Sequence, residues 1–406
     1  MQQQELIPHL FRTEYRKIVA VLCKRFGLQQ LEMAEDIASD TFLTAAQLWP
    51  LDGLPANPVA WLYQVARNKT INYLQRERLF KNKIATVIRK SSETSETIDL
   101  SAENIIDSQL QMMFAICHPA ISAEAQVGLS LRILCGFGID EIADAFLCAK
   151  DIINKRLFRA KEKLREEGIR IEMPGMLQMD ARLSAVLTTI YLLFNEGYYS
   201  VSTNHTIRRE LCFEAMRLCN MLVENTATNK PQVNALLSLM CFHASRFDAR
   251  VGKNGEMVLY EEQDTGLWNT ELISRGSYFM HCAANGAALS TYHLEAAIAF
   301  WSTRRADTPE KWEQVLQLYN RLLQLQYSPI AALNRTYALA KVQGKQTAIA
   351  EAEKLQLTGN QFYFALLGEL YTGIDNSKAK EHFAQAIALA KNPADKEQLR
   401  KKMERV

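Results

Sequence analysis

Residues 139–166 read IDEIADAFLCAKDIINKRLFRAKEKLRE, and this pattern decides the fold around them. In 139–147, Ile142, Ala143 and Phe146 share one side of a short helix, while Glu141 and Asp144 face away. Cys148-Ala149 makes a brief turn. From Lys150 a second, basic helix is predicted. Ile152, Ile153, Leu157, Ala160 and Leu164 form its core stripe, with Lys150, Asn154, Lys155, Arg159 and Lys161 largely off it. A short helix, a tight turn and a basic helix make the helix-turn-helix arrangement. One helix braces across a phosphate backbone and the other presents side chains to base edges. A helical hairpin with a solvated basic face fits the same spacing.

Outward from this stretch nearly every segment has helical period. Residues 31–48 place Ile37, Phe42, Leu43 and Ala46 near one face. A second long helix is expected over 58–80, with Pro58 in its first turn and Trp61, Leu62, Val65, Ile71 and Leu74 mostly on one side. The turn-rich WPLDGLPANP joins the two. Residues 91–104, SSETSETIDLSAEN, are acidic and nearly free of apolar side chains, so an extended linker is expected over 91–106. Three shorter helices follow at about 107–117, 122–135 and 139–147, and Gly168 and Met173-Pro174-Gly175 close the block. From 181 onward one helical pattern succeeds another, and MVLYE at 257–261 is the only strand-like run.

With 406 residues, two or three domains are expected. Apolar residues are 48% and charged residues 23% of the chain, ordinary for a globular protein. No stretch approaches the 18 or so continuous apolar residues of a membrane span, and the first residues lack the order of a signal peptide. A cytoplasmic protein without a membrane partner is expected. Eight cysteines are scattered with no CxxC pair, reading as small buried residues. The seven histidines show no ligand spacing, and no Ser/His/Asp set, phosphate-binding glycine loop or HExxH occurs. Neither an enzyme nor a metal or cofactor site is expected.

The net charge of +2 is uninformative, but its distribution is not. Residues 67–90 carry eight basic residues against Glu77 alone, and 150–165 carry seven against Asp151 and Glu162. Two basic patches on a near-neutral chain point to two contacts with a phosphate backbone.

Three motifs now carry a resemblance. Gly138-Ile139-x-Glu141-Ile142-Ala143, followed by Lys155-Arg156-Leu157-x-Arg159-Ala160-x-x-Lys163-Leu164, resembles the −35-reading domain of extracytoplasmic-function (group IV) sigma factors. Asp36-Ile37-x-x-Asp40-Thr41-Phe42 resembles their helix that docks on the polymerase clamp. Pro58-x-Ala60-Trp61-Leu62-x-x-Val65-Ala66-Arg67-Asn68 resembles their −10 element. Asn72 and Gln75 depart from that pattern, which puts promoter preference in doubt.

The resemblance implies an all-α protein that recruits core RNA polymerase to promoter DNA and helps open it. Asp36, Asp40 and Phe42 would meet the polymerase. Trp61, Arg67, Asn68, Lys69, Asn72, Tyr73 and Arg76 would hold the −10 element, with Trp61 equally suited to the core. Lys150, Asn154, Lys155, Arg156, Arg159 and Lys161 would read the −35 element. Sixteen linker residues reach roughly 55 Å when extended, enough for promoter elements roughly 50 Å apart. A stand-alone helix-turn-helix regulator with a repeat sensor domain is the alternative.

Phe364-x-x-Leu367-Gly368-x-x-Tyr371, then Ala379-x-x-x-Phe383 and Pro393, follows the tetratricopeptide pattern with Phe for Trp. Residues 330–355 have the same two-helix shape, and 293–325 could form another pair. Stacked pairs would form a surface for a protein or peptide partner; a purely structural extension fits equally. TIYLLFNEGYY at 189–199, with Asn195, Glu196, Gly197 as a helix C-cap and Tyr198, resembles the start of a fused extension in a subgroup of these sigma factors, as does Glu261-x-Gln263-Asp264-x-x-x-Trp268. Control of sigma activity in cis is implied. The expected domains are region 2 at 1–90, the linker 91–106, region 4 at 107–168, a second linker 169–180 and the helical repeat domain 181–406.

Overall fold

A computed structural model describes residues 3–84, 98–146, 148–199, 208–250, 258, 260–286, 288–390 and 393–406. Their regular structure is entirely helical, with no strand among them. The chain divides into two compact units, Met1–Leu193 and Phe194–Val406.

In the first unit α1 (Gln3–Phe26) buries Tyr15, Ile18, Val19 and Leu22, the spacing of one helical stripe. It packs on α2 (Leu31–Asp52), which in turn packs on α3 (Pro58–Ile84). α4 (Ala102–Ile116) also lies against α1. The Ser101 hydroxyl caps α4 by accepting from Asn104 N–H at 3.4 Å. The expected linker 91–106 is thus shorter than its composition indicated: its last five residues are helical, because Ser101 is a strong cap and Ile105 is buried. Its residues 91–97, with Glu93 and Glu96, lie outside the described residues.

α5 (Ala123–Leu129) runs into a π-helical turn at Ser130–Leu134, and α6 (Ile139–Phe146) and α7 (Lys150–Glu166) follow. Ile142, Ile153, Leu157, Ala160 and Leu164 are buried. Gly128 lets α5 approach α7 closely: a Cβ there would sit 3.0 Å from a Leu157 methyl. Ile152 is 50% exposed and leaves the core stripe assigned to it. Four residues at 4-3-4 spacing already fill the face that α7 turns inward.

α8 (Met176–Tyr199) begins inside the expected linker 169–180. The division between units falls within it, after Leu193 rather than at 181. Leu183, Val186, Leu187 and Ile190 are buried in the first unit. Thr189 donates to Gln126 Oε1 at 2.8 Å, and Arg182 donates to the Phe114 carbonyl at 2.5 Å.

The second unit is built around α10 (Pro231–Ala244), buried along nearly its whole length, with α9 (Arg209–Glu224) beside it. The short α11 (Phe247–Arg250) follows, and then α12 (Thr270–Ala283) and α13 (Thr291–Trp301) pack on α10. Gly276 permits the α10–α12 crossing: a Cβ there would lie 2.8 Å from the Phe242 ring. The strand-like run does not form a strand among its described residues; Tyr260–Glu262 is a 3₁₀ turn. α14 (Pro309–Leu325), α15 (Pro329–Gln343) and α16 (Lys345–Leu355) continue as antiparallel neighbours. Thr308-Pro309 and Ser328-Pro329 each combine a side-chain cap with proline at the first helical position. α17 (Gln361–Tyr371) and α18 (Asn376–Leu389) form a tight pair before α19 (Pro393–Glu404). Gly368 brings their backbones together, since a Cβ there would meet the Phe383 ring at 2.8 Å.

Candidate polymerase and promoter interface

Asp36 and Asp40 are both exposed on α2, one turn apart. Phe42, expected to share their contact surface, is a core residue instead: it is 4% exposed and meets the Phe11 ring edge-on at 5.1 Å. Two residues past Asp40 the helix has rotated about 200°, which carries Phe42 to the buried face. Leu43 and Leu51 are 56% and 81% exposed. The sequence reading missed this surface, because apolar periodicity alone does not say which apolar residue is left outside.

On α3 the Asn57 side chain accepts from Ala60 N–H at 3.0 Å and caps the helix. Trp61 is half-buried, its ring 5.4 Å from that of Trp49 in an edge-on contact. It serves the core and keeps one edge outside. Asn68, Asn72 and Arg76 form an exposed stripe at four-residue spacing, with Tyr73 also exposed beside it. Arg67 and Lys69 are half-buried, and Lys69 reaches Asp40 at 3.9 Å. The seven expected −10 residues therefore share one helix, but only part of the set is fully presented to solvent.

On α7, Lys150, Asn154, Lys155 and Arg159 are exposed. Lys150 pairs with Asp140 at 2.9 Å. Arg156 is half-buried, its guanidinium 5.5 Å from the Phe146 ring centre. Phe158, at 59% exposure, joins Ile152 on the outer face. Lys161 departs from the expected set. Its ammonium pairs with Glu35 Oε2 of α2 at 2.8 Å, and the two side chains are only 16% and 14% exposed. Arg132 reaches the other Glu35 oxygen at 3.4 Å, and Arg165 reaches Glu32 at 3.4 Å. The signal was in the spacing: Lys161 stands four residues after Leu157, so it lies above the buried stripe.

In the second unit, Gly197 is not a C-cap. α8 continues through it, and a Cβ there would lie 2.7 Å from Cys212 Sγ and 2.8 Å from the Arg208 carbonyl. Its bareness allows α9 to start against α8. Asn195 and Glu196 are half-buried, and burial pushes the Glu196 carboxyl above its ordinary range against the pull of Arg208. Tyr198 is 2% exposed, with its ring centre 4.6 Å from that of His243.

All eight cysteines are free, and six are buried. Among the described residues, no group of three His, Cys, Asp or Glu side chains is placed to hold a metal ion. No described helix is long and apolar enough to cross a membrane.

Residues 10–80, which cover most of α1, all of α2 and most of α3, match the Sigma-70 region 2 family. Residues 182–284 match a family of unknown function, DUF6596. The chain is similar to RNA polymerase sigma factor YlaC of Bacillus subtilis (strain 168), at 25% identity over 171 residues, covering 41% of this chain and 94% of that protein. It is also similar to the uncharacterized protein R00370 of Rhizobium meliloti (strain 1021), at 33% identity over 386 residues. No solved structure matches the chain. The Sigma-70 region 2 gives the chain a sigma-factor role in transcription initiation, with core RNA polymerase as partner. Because the alignment covers 93% of this sequence and 90% of the Rhizobium one, the chain belongs to the family of that Rhizobium meliloti protein.

Proposed function

We propose that the chain is a sigma factor of the extracytoplasmic-function type that opens specific promoters, controlled by its own carboxyl-terminal helical unit. α1–α3 dock on core RNA polymerase through the Asp36/Asp40 face of α2. The Asn68, Asn72, Tyr73 and Arg76 surface of α3 holds the −10 strand by stacking and backbone contact. α7 enters the major groove near the −35 element, with Asn154, Lys155 and Arg159 toward the bases and phosphates. α14–α19 act as a tetratricopeptide-like scaffold for a protein or peptide partner. The observation that carries this reading is the exposed asparagine–arginine stripe on α3, followed in the chain by an exposed basic helix presented by a short bracing one.

Run-off transcription with core polymerase tests it. The full chain is expected to direct initiation at selected promoters, and a chain ending after Leu193 is expected to bind core but initiate at an altered level. Operator binding by the free chain, with no gain on adding core, would instead favour a stand-alone regulator.

A further inference from the structure

The second unit holds two arginines, Arg246 and Arg250, that form no ion pair among the described residues. Arg246, in the turn between α10 and α11, is 7% exposed. Arg250 follows one helical turn later, its N–H bonded to the Arg246 carbonyl at 3.0 Å. Both Nε atoms are buried without a hydrogen-bond partner, and among the described residues neither guanidinium forms an ion pair. They lie over aromatic rings: Arg250 is 4.1 Å from the Tyr198 ring centre and also donates one Nη to the Tyr198 hydroxyl, and Arg246 is 5.6 Å from the Tyr260 ring centre. Lys311, its side chain 3% exposed, lies 5.2 Å from the same Tyr260 ring and donates to its hydroxyl at 2.9 Å. Asp307, 3.9 Å from Lys311, is the carboxylate that Lys311 pairs with. His243, three residues before Arg246, carries a buried Nδ1 without a partner.

Two further orphans lie on residues 260–269, the segment whose Tyr260 ring meets Arg246. Trp268 is 7% exposed and its indole N–H has no acceptor, and Gln263 Oε1 is buried without a donor. This segment is anchored beside Arg246, because Asn269 N–H donates to the Ser245 carbonyl at 2.8 Å. Buried guanidinium groups are costly unless a counter-charge and hydrogen-bond acceptors meet them. The unmet groups here are mainly N–H donors, the complement of an oxyanion.

We infer that Arg246, Arg250 and Trp268 form a binding site for a small oxyanion, a phosphate or a carboxylate. The aromatic rings fix the guanidinium planes, so little side-chain freedom remains to be lost on binding. This inference is independent of the promoter reading, since every group in it belongs to the second unit.

Thermal unfolding of the full chain tests it, in chloride at fixed ionic strength, with inorganic phosphate or malonate titrated in. At least one anion is expected to raise Tm in a saturable way, and the difference between the two arms identifies the ligand class. Arg246→Met is expected to remove that shift while leaving ligand-free Tm equal to or above the parent value, because an uncompensated buried charge has gone. Trp268→Phe keeps a ring and removes one N–H, and is expected to weaken the anion several-fold. Arg209→Gln, which alters an arginine already paired with Asp248 at 2.7 Å, should leave the shift intact. If Arg246→Met does not fold, Arg250→Met and Trp268→Phe carry the same readout. The inference is overturned if neither anion shifts the parent, or if the shift is undiminished in the folded Arg246, Arg250 and Trp268 variants.

Discussion

Lys161 and Glu35, 126 positions apart in sequence, meet at 2.8 Å in a largely buried ion pair that joins α7 to α2. Glu35 holds Arg132 at the same time, at 3.4 Å, so one carboxylate neutralises two cations. Glu35→Gln would strand both. It is expected to lower stability by about 2–4 kcal/mol in urea unfolding of the first unit. Lys161→Met should cost less, since Arg132 still pairs with Glu35. Equal losses for the two variants would contradict this.

The same pair separates two kinds of basic residue on α7. Lys155→Ala with Arg159→Ala is expected to weaken −35 duplex binding and reduce its salt dependence by about two phosphate contacts, with core binding unchanged. Lys161→Ala should leave the salt slope where it was, because that ammonium is occupied by Glu35. Fluorescence anisotropy across a salt series distinguishes the two.

Gly197→Ala places a methyl 2.7 Å from Cys212 Sγ and 2.8 Å from a backbone carbonyl. A side chain can yield, but the carbonyl cannot without moving α9. A loss of about 1–3 kcal/mol is expected, against the small gain that Gly→Ala usually brings inside a helix. Calorimetry that finds the variant as stable as the parent would rule out the close crossing.

His243 gives the second unit an acid-sensitive stability. Burial first, then the charges of Arg246 and Arg250, hold its pKa well below the ordinary 6.5. Above that value the ring is neutral in both folded and unfolded chains and contributes nothing to pH dependence. As pH falls through 6.5 the unfolded chain takes up a proton that the folded chain refuses, so stability declines by up to about 1.4 kcal/mol per pH unit. His243→Asn should remove that share of the slope between pH 6.5 and 5, measured by denaturation at each pH. An unchanged slope would show that the imidazole is already protonated in the fold.

Much of the helical framework is written locally. The 4-3-4 spacing of Ile153, Leu157, Ala160 and Leu164, the cap at Ser101 and the Thr308-Pro309 and Ser328-Pro329 starts need only neighbours within one or two turns. They determine an all-helical chain with a basic helix behind a short brace, and they place the exposed −10 and −35 candidates on α3 and α7. Tertiary packing decided which residues those helices turn inward: Phe42 against Phe11, Lys161 onto Glu35, and Gly197 as a crossing point rather than a cap. It also gathered Arg246, Arg250 and Trp268, whose spacing alone marks no site. Helical period is a property of one segment, whereas burial and charge pairing depend on a second segment whose arrival no local pattern encodes.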